Sequence, residues 1–101
     1  MATTTKALFR GAATTSTGTT LYTVPASTTT VVTSIIVTNT SASAGTFTMA
    51  LGGTNFGTLI AVGGNDSTVI DIKQVLTAAQ TITGGASATT INFHISGVEI
   101  A

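Results

Sequence analysis

Apolar and polar residues alternate along most of this chain, and the alternation stops wherever Gly, Ser, Asn or Asp cluster. That is the pattern of short strands joined by turns. The cleanest run is 46–51. Phe47, Met49 and Leu51 fall on one side, and Thr46, Thr48 and Ala50 on the other, which predicts a strand with one face on a core. Segment 68–73 repeats the pattern, with Ile70 and Ile72 inward and Asp71 and Lys73 outward. In the last segment, 89–100, Ile91, Phe93 and Ile95 oppose Asn92, His94 and Ser96. Gly97 interrupts that run and predicts a bulge that turns Val98 and Ile100 inward.

Other segments are less regular. Residues 29–39 carry Val31, Ile35 and Val37 on one side and Val32 and Ile36 on the other. That suits a central strand covered on both faces, or a strand with a bulge. Further strands are predicted at 6–12, 21–24, 56–62 and 81–83. Pro25 ends the second of these, because it lacks an N–H and holds Val24 extended. Turns are expected at 14–18, 39–45, 52–55, 63–66 and 84–85. Helix signals are confined to 74–80, where Val75, Thr77 and Thr81 oppose more than a single turn. The expectation is an all-β chain: about eight antiparallel strands in a β-sandwich, jelly-roll or immunoglobulin-like. Residues 1–12 are read as an extended N-terminal arm and first strand, and 13–101 as a single sandwich domain.

Composition sharpens this picture. Threonine makes up about a quarter of the chain, while only 6% of its 101 residues are charged; ordinary domains carry about 25% charged residues. Threonine is β-branched and fits a pleated strand, and its hydroxyl keeps a solvent face wet without charge. Such a surface gives up the repulsion that holds free proteins apart, so the chain reads as a part of an assembly. Net charge is zero, which offers no bulk attraction to nucleic acid or to an anionic membrane. Mean hydropathy is high at +0.55. Even so, the apolar runs, such as Ile35-Ile36-Val37 and Leu59-Ile60-Ala61-Val62, fall far short of the ~20 residues of a spanning helix.

Candidate chemistry is sparse. His94 is the only histidine and there is no cysteine, so a zinc site lacks its usual ligands. Asp66 and Asp71 follow a glycine-rich turn but lack the further oxygen ligands and closing Glu of a calcium loop. Gly52-Gly53 and Gly63-Gly64 precede no helix that could hold phosphate. No Gly-x-Ser-x-Gly elbow occurs. The reading is of a non-enzymatic protein without cofactor or metal. Charge is divided along the chain: Lys6 and Arg10 are the only charged side chains before Asp66. Lys6, Leu8, Phe9 and Arg10 are therefore the candidate partner contacts, on an arm that reaches an acidic neighbour.

One resemblance adds to this. The run Leu21-Tyr22-Thr23-Val24-Pro25-Ala26, then Val31-Val32-Thr33-Ser34-Ile35-Ile36-Val37-Thr38-Asn39-Thr40-Ser41 and the alternating strand 46–51, resembles small structural proteins of tailed bacteriophages. The closing Asn92-Phe93-His94-Ile95-Ser96-Gly97-Val98-Glu99 is similar to the ends of such chains. The resemblance implies a β-sandwich virion protein and supplies no site residues. The expected function is a head decoration (cement) protein, a homotrimer that binds the major capsid protein at the capsid surface after assembly in the host cytoplasm. The alternative is a small tail or fibre adhesion module. A threonine-rich ice- or surface-binding protein is a remoter third, because its threonines show no fixed period.

Overall fold

The computed structural model describes residues 2–101. Eight strands follow in order: β1 Thr3–Ala12, β2 Thr20–Thr23, β3 Thr29–Asn39, β4 Gly45–Leu51, β5 Thr54–Val62, β6 Ser67–Leu76, β7 Thr81–Ala86 and β8 Ile91–Ile100. They form two antiparallel four-stranded sheets, ordered β1-β8-β3-β6 and β2-β7-β4-β5. This order follows from one construction. A long antiparallel ribbon pairs β1 with β8, β2 with β7, β3 with β6 and β4 with β5. Rolling it up adds the β3·β8 and β4·β7 ladders. The result is a jelly roll, which decides between the two sandwich topologies left open by the sequence.

The two inner faces bury Phe47, Met49 and Ile82 from the second sheet against Val32, Ile35, Ile91, Phe93 and Ile95 from the first. Phe47 and Phe93 meet edge to face across the sandwich, 6.1 Å between ring centres. Among the described residues Asn39 is the one fully enclosed side-chain amide. Its Nδ2 donates to the carbonyls of Ser43 and Val62, and its Oδ1 accepts from the Ser41 N–H, so it ties the β3–β4 corner without leaving a buried polar atom unpaired.

Three features depart from the alternation pattern. In β3, Thr33 is an extra residue opposite β8, between the pairs Val32↔Gly97 and Ser34↔Ser96. The bulge changes the phase, so Thr30 and Val32 face inward before it and Ile35, Val37 and Asn39 after it. Apolar residues on both sides of this segment therefore reflect a bulge, not a doubly covered strand, and Val31 faces outward.

The second departure is at Gly97, which is not itself bulged; the extra residues lie on both neighbours, Thr33 in β3 and Leu8 in β1. β8 keeps its alternation through Gly97, and Glu99, not Val98 or Ile100, shares the inward phase. Third, Gly84-Gly85 do not turn the chain. They continue β7 in register with Met49 and Thr48, and both are buried. Their lack of side chains serves close packing: a Cβ on Gly85 would lie 2.2 Å from the Ser16 carbonyl oxygen.

Smaller differences concern strand ends. β1 starts at Thr3, β5 at Thr54, and β6 runs on to Leu76, through the segment with the one helical signal. Gly52 and Gly53 alone turn the β4–β5 hairpin, with φ of 58° and 82°, as a type I′ turn requires.

Candidate interaction surfaces

Residues 3–12 are extended, but they are docked along their own chain. β1 pairs with β8 from Thr3↔Ile100 to Ala12↔Asn92. Ala2 and Ala101 exchange backbone hydrogen bonds, each 2.8 Å long. The segment read as an arm is thus an edge strand of the first sheet. Leu8 is buried in the core, and Phe9 is half-buried against it. Lys6 pairs with Glu99 of its own chain at 3.4 Å. Arg10 is exposed and stands beside His94 on the outer face. Lys6 and Arg10 are both charged and exposed, and of the two only Arg10 has no ion-pair partner among the described residues.

Lys6 and Glu99 belong to a polar cluster that the sequence does not signal, because its members lie up to 93 residues apart. Tyr22 Oη, on β2, donates to Glu99 Oε2 at 2.5 Å, and Thr30 Oγ1, on β3, lies 2.8 Å from the same Tyr22 oxygen. With its own proton committed to the carboxylate, Tyr22 accepts from Thr30. The cluster joins three strands of the first sheet to the edge of the second.

The Tyr22 hydrogen bond holds the Glu99 carboxyl below its ordinary 4.5; burial opposes this, while the hydrogen bond and charge of Lys6 add to it. Burial and the Glu99 hydrogen bond push Tyr22 above 10.0, partly offset by Thr30. The signs follow from linkage. Glu99 contributes stability that is fully present above 4.5 and lost as pH falls through its lower folded value. Tyr22 contributes stability that is present below 10.0 and lost as pH rises through its higher folded value. Thermal unfolding followed from about pH 7 to about pH 2.5 should show a steeper loss of Tm in the native protein than in Glu99→Gln. Parallel curves would show that the cluster adds nothing.

A groove of about 200 Å³ lies on the outer face of the second sheet, lined by Thr15, Thr17, Thr46, Thr48, Leu59 and Ser87 among others. Its floor is Gly85, under the β1–β2 loop. That loop is held by hydrogen bonds from the Gly84 and Ala86 N–H groups to the carbonyls of Thr19 and Thr14, 3.0 and 2.9 Å. At the rim, β5 bulges: two residues, Thr58 and Leu59, oppose Thr48 between the pairs Phe47↔Ile60 and Met49↔Gly57. Leu59 adopts φ 50° and is 68% exposed. Its N–H donates to Thr48 Oγ1 at 3.0 Å. A left-handed leucine costs roughly 1–2 kcal/mol, and here it leaves most of an apolar side chain in solvent.

The remaining candidates stay apart. Asp66 is in the β5–β6 turn, where its carboxylate accepts from the Ser67 N–H. Asp71 is exposed on β6 beside Lys73, 3.8 Å away. His94 stands on the outer face of β8 among Arg10 and Ile36. No group of three or more His, Asp or Glu side chains converges among the described residues. No protein-family model matches the chain, and a search of the curated proteins finds no match.

Proposed function

We propose that this protein is a non-enzymatic structural component of a bacteriophage virion, a decoration protein that binds across subunits on the outside of the capsid. The observation that carries the reading is Leu59: a strained, exposed, apolar side chain at the rim of a hydroxyl-lined groove, on an almost uncharged sandwich. Strain of this kind is retained where a side chain has to be presented, and an uncharged apolar knob beside a groove suits a contact between subunits. The jelly-roll order and the resemblance of the 21–26 and 31–41 segments to phage structural proteins support the same reading. Binding would be mechanical: many copies, each held weakly, resist expansion of the shell together.

The docked β1 alters how this is tested. Deleting residues 2–10 would bare β8 and remove Leu8 from the core, so point changes are the better probe. Leu59→Asn should leave the fold as stable or raise Tm by several degrees, because asparagine tolerates the left-handed region. The same change should lower occupancy on purified particles at least about tenfold, the effect of removing a central apolar contact. Arg10→Glu tests the other candidate surface in the same assay. Native protein that never associates with capsids removes the decoration reading.

A tail or fibre module remains the second proposal. Groove hydroxyls from Thr15, Thr17, Thr46 and Ser87 beside an apolar wall could hold a sugar ring. Binding on a glycan array, with low copy number in particles, would favour it.

A further inference from the structure

Four strand edges end the two sheets: β1 and β6 in the first, β2 and β5 in the second. Three of them discourage pairing with another chain, as exposed edges generally must. β2 has four residues and is followed by Pro25. β5 is broken by the Leu59 bulge. β1 carries only cations, Lys6 and Arg10, and would set like charges together against its own copy.

β6 differs. It is ten residues long; opposite β3 it carries one extra residue at Ile72–Lys73, between the pairs Val32↔Gln74 and Ser34↔Asp71, yet its own alternation is kept, and Val69, Asp71, Lys73 and Val75 are among its outward side chains. Val69 and Val75 are 67% and 60% exposed. The Asp71–Lys73 pair within the strand spans 3.8 Å between side chains that are about four-fifths exposed, so it holds neither group firmly.

We infer that β6 is a self-pairing edge, on which a second copy of this chain docks antiparallel about a two-fold axis at Ile72. In that register Asp71 lies opposite the second copy's Lys73, and Lys73 opposite its Asp71. Val69 lies opposite Val75 in the same way, and Ile72 faces itself. Each of these four outward positions finds a complementary partner, which is the condition for an isologous contact. Opposite charges and β-branched residues directly across an antiparallel pair are each favourable. Slipping the register by two residues in either direction breaks both ion pairs. The joined sheet would run unbroken through eight strands, β1-β8-β3-β6 and its two-fold image. Ile36, beside Val69 on the outer face, would extend the apolar seam. Lys73 and Asp71 thus act as a register lock for one partner while still repelling other edges. This inference is independent of what the protein decorates, because it requires only a second copy, and it departs from the homotrimer that the resemblance implies.

Sedimentation velocity over a wide range of concentration tests it without any particle. The native protein should form a dimer. Lys73→Glu should weaken self-association at least about tenfold, since it sets two carboxylates opposite one another at two symmetric places. Swapping both charges, Asp71→Lys with Lys73→Asp, should restore it. The chain has no cysteine, so Val69→Cys and Val75→Cys variants report the register directly. Oxidation of their mixture should cross-link them, while either alone should not. A monomer at every concentration, a trimer, or a dimer indifferent to Lys73→Glu would overturn the inference. These sites are on the surface, and an unchanged thermal transition confirms that each variant folds.

Discussion

Gly97→Ala is expected to destabilise the protein by about 3 kcal/mol, at the upper end of what overpacking costs. For a domain of this size that corresponds to a fall in Tm of roughly 10–20 °C. The methyl group would lie 2.5 Å from the Val31 carbonyl oxygen and 2.8 Å from Leu8 Cδ1. Leu8 could shift; the Val31 carbonyl belongs to the central strand β3 and could not move without breaking its ladder. The crowding has a structural origin. Bulges at Leu8 and Thr33 on the two flanking strands bring extra backbone and a core side chain over the same point of β8, and only a residue without a side chain fits between them. Leu8→Ala should cost less in the Gly97→Ala background than in the native protein, because it relieves the side-chain part of the clash while the carbonyl contact remains. Calorimetric scans of the four combinations measure that coupling. A Gly97→Ala protein that melts with the native one would show that the bulges do not stack as described.

Phe93→Ala should cost about 3–5 kcal/mol, the range for emptying a buried aromatic site. Phe93 is fully buried near the start of β8 and meets Phe47 on β4 edge to face, with 67° between ring planes. It contributes to both sheets at once, so its loss opens a void that neither can close alone. Total stabilities of about 5–15 kcal/mol would leave the variant close to unfolding at room temperature. Denaturant titration gives the magnitude. A loss under about 1 kcal/mol would mean that the rings do not join the sheets.

Both predictions depend on features of unequal visibility in the sequence. Phe47, Met49, Phe93 and Ile95 were readable as core positions because period-two alternation is a local property, set by the pleat of a single strand. Gly97 was readable only as an irregularity. Its meaning depends on Leu8 and Val31, which come next to it only when β1 and β3 flank β8. Gly84-Gly85 show the same limit. Two glycines signal a turn by composition, whereas here they thin a strand so that the β1–β2 loop can lie on it. Among the proposed contacts, the charges of Lys6 and Arg10 stood out in the sequence, but the engagement of Lys6 by Glu99 did not. Leu59 carried no signal at all: its exposure comes from a bulge pinned by Thr48, eleven residues away.

Local preference by itself therefore determined that the chain is all-β, with about eight strands, most of their inward residues and few groups suited to chemistry. Threonine, alternation and turn residues act over a few positions and need no distant partner. Tertiary structure alone decided the jelly-roll order, the docking of β1 along β8, the phase changes at Leu8 and Thr33 and the Tyr22–Glu99–Lys6 cluster. Each of these arises from a pairing between segments far apart in the chain, where register is chosen by the fit of the whole sandwich and not by either segment alone.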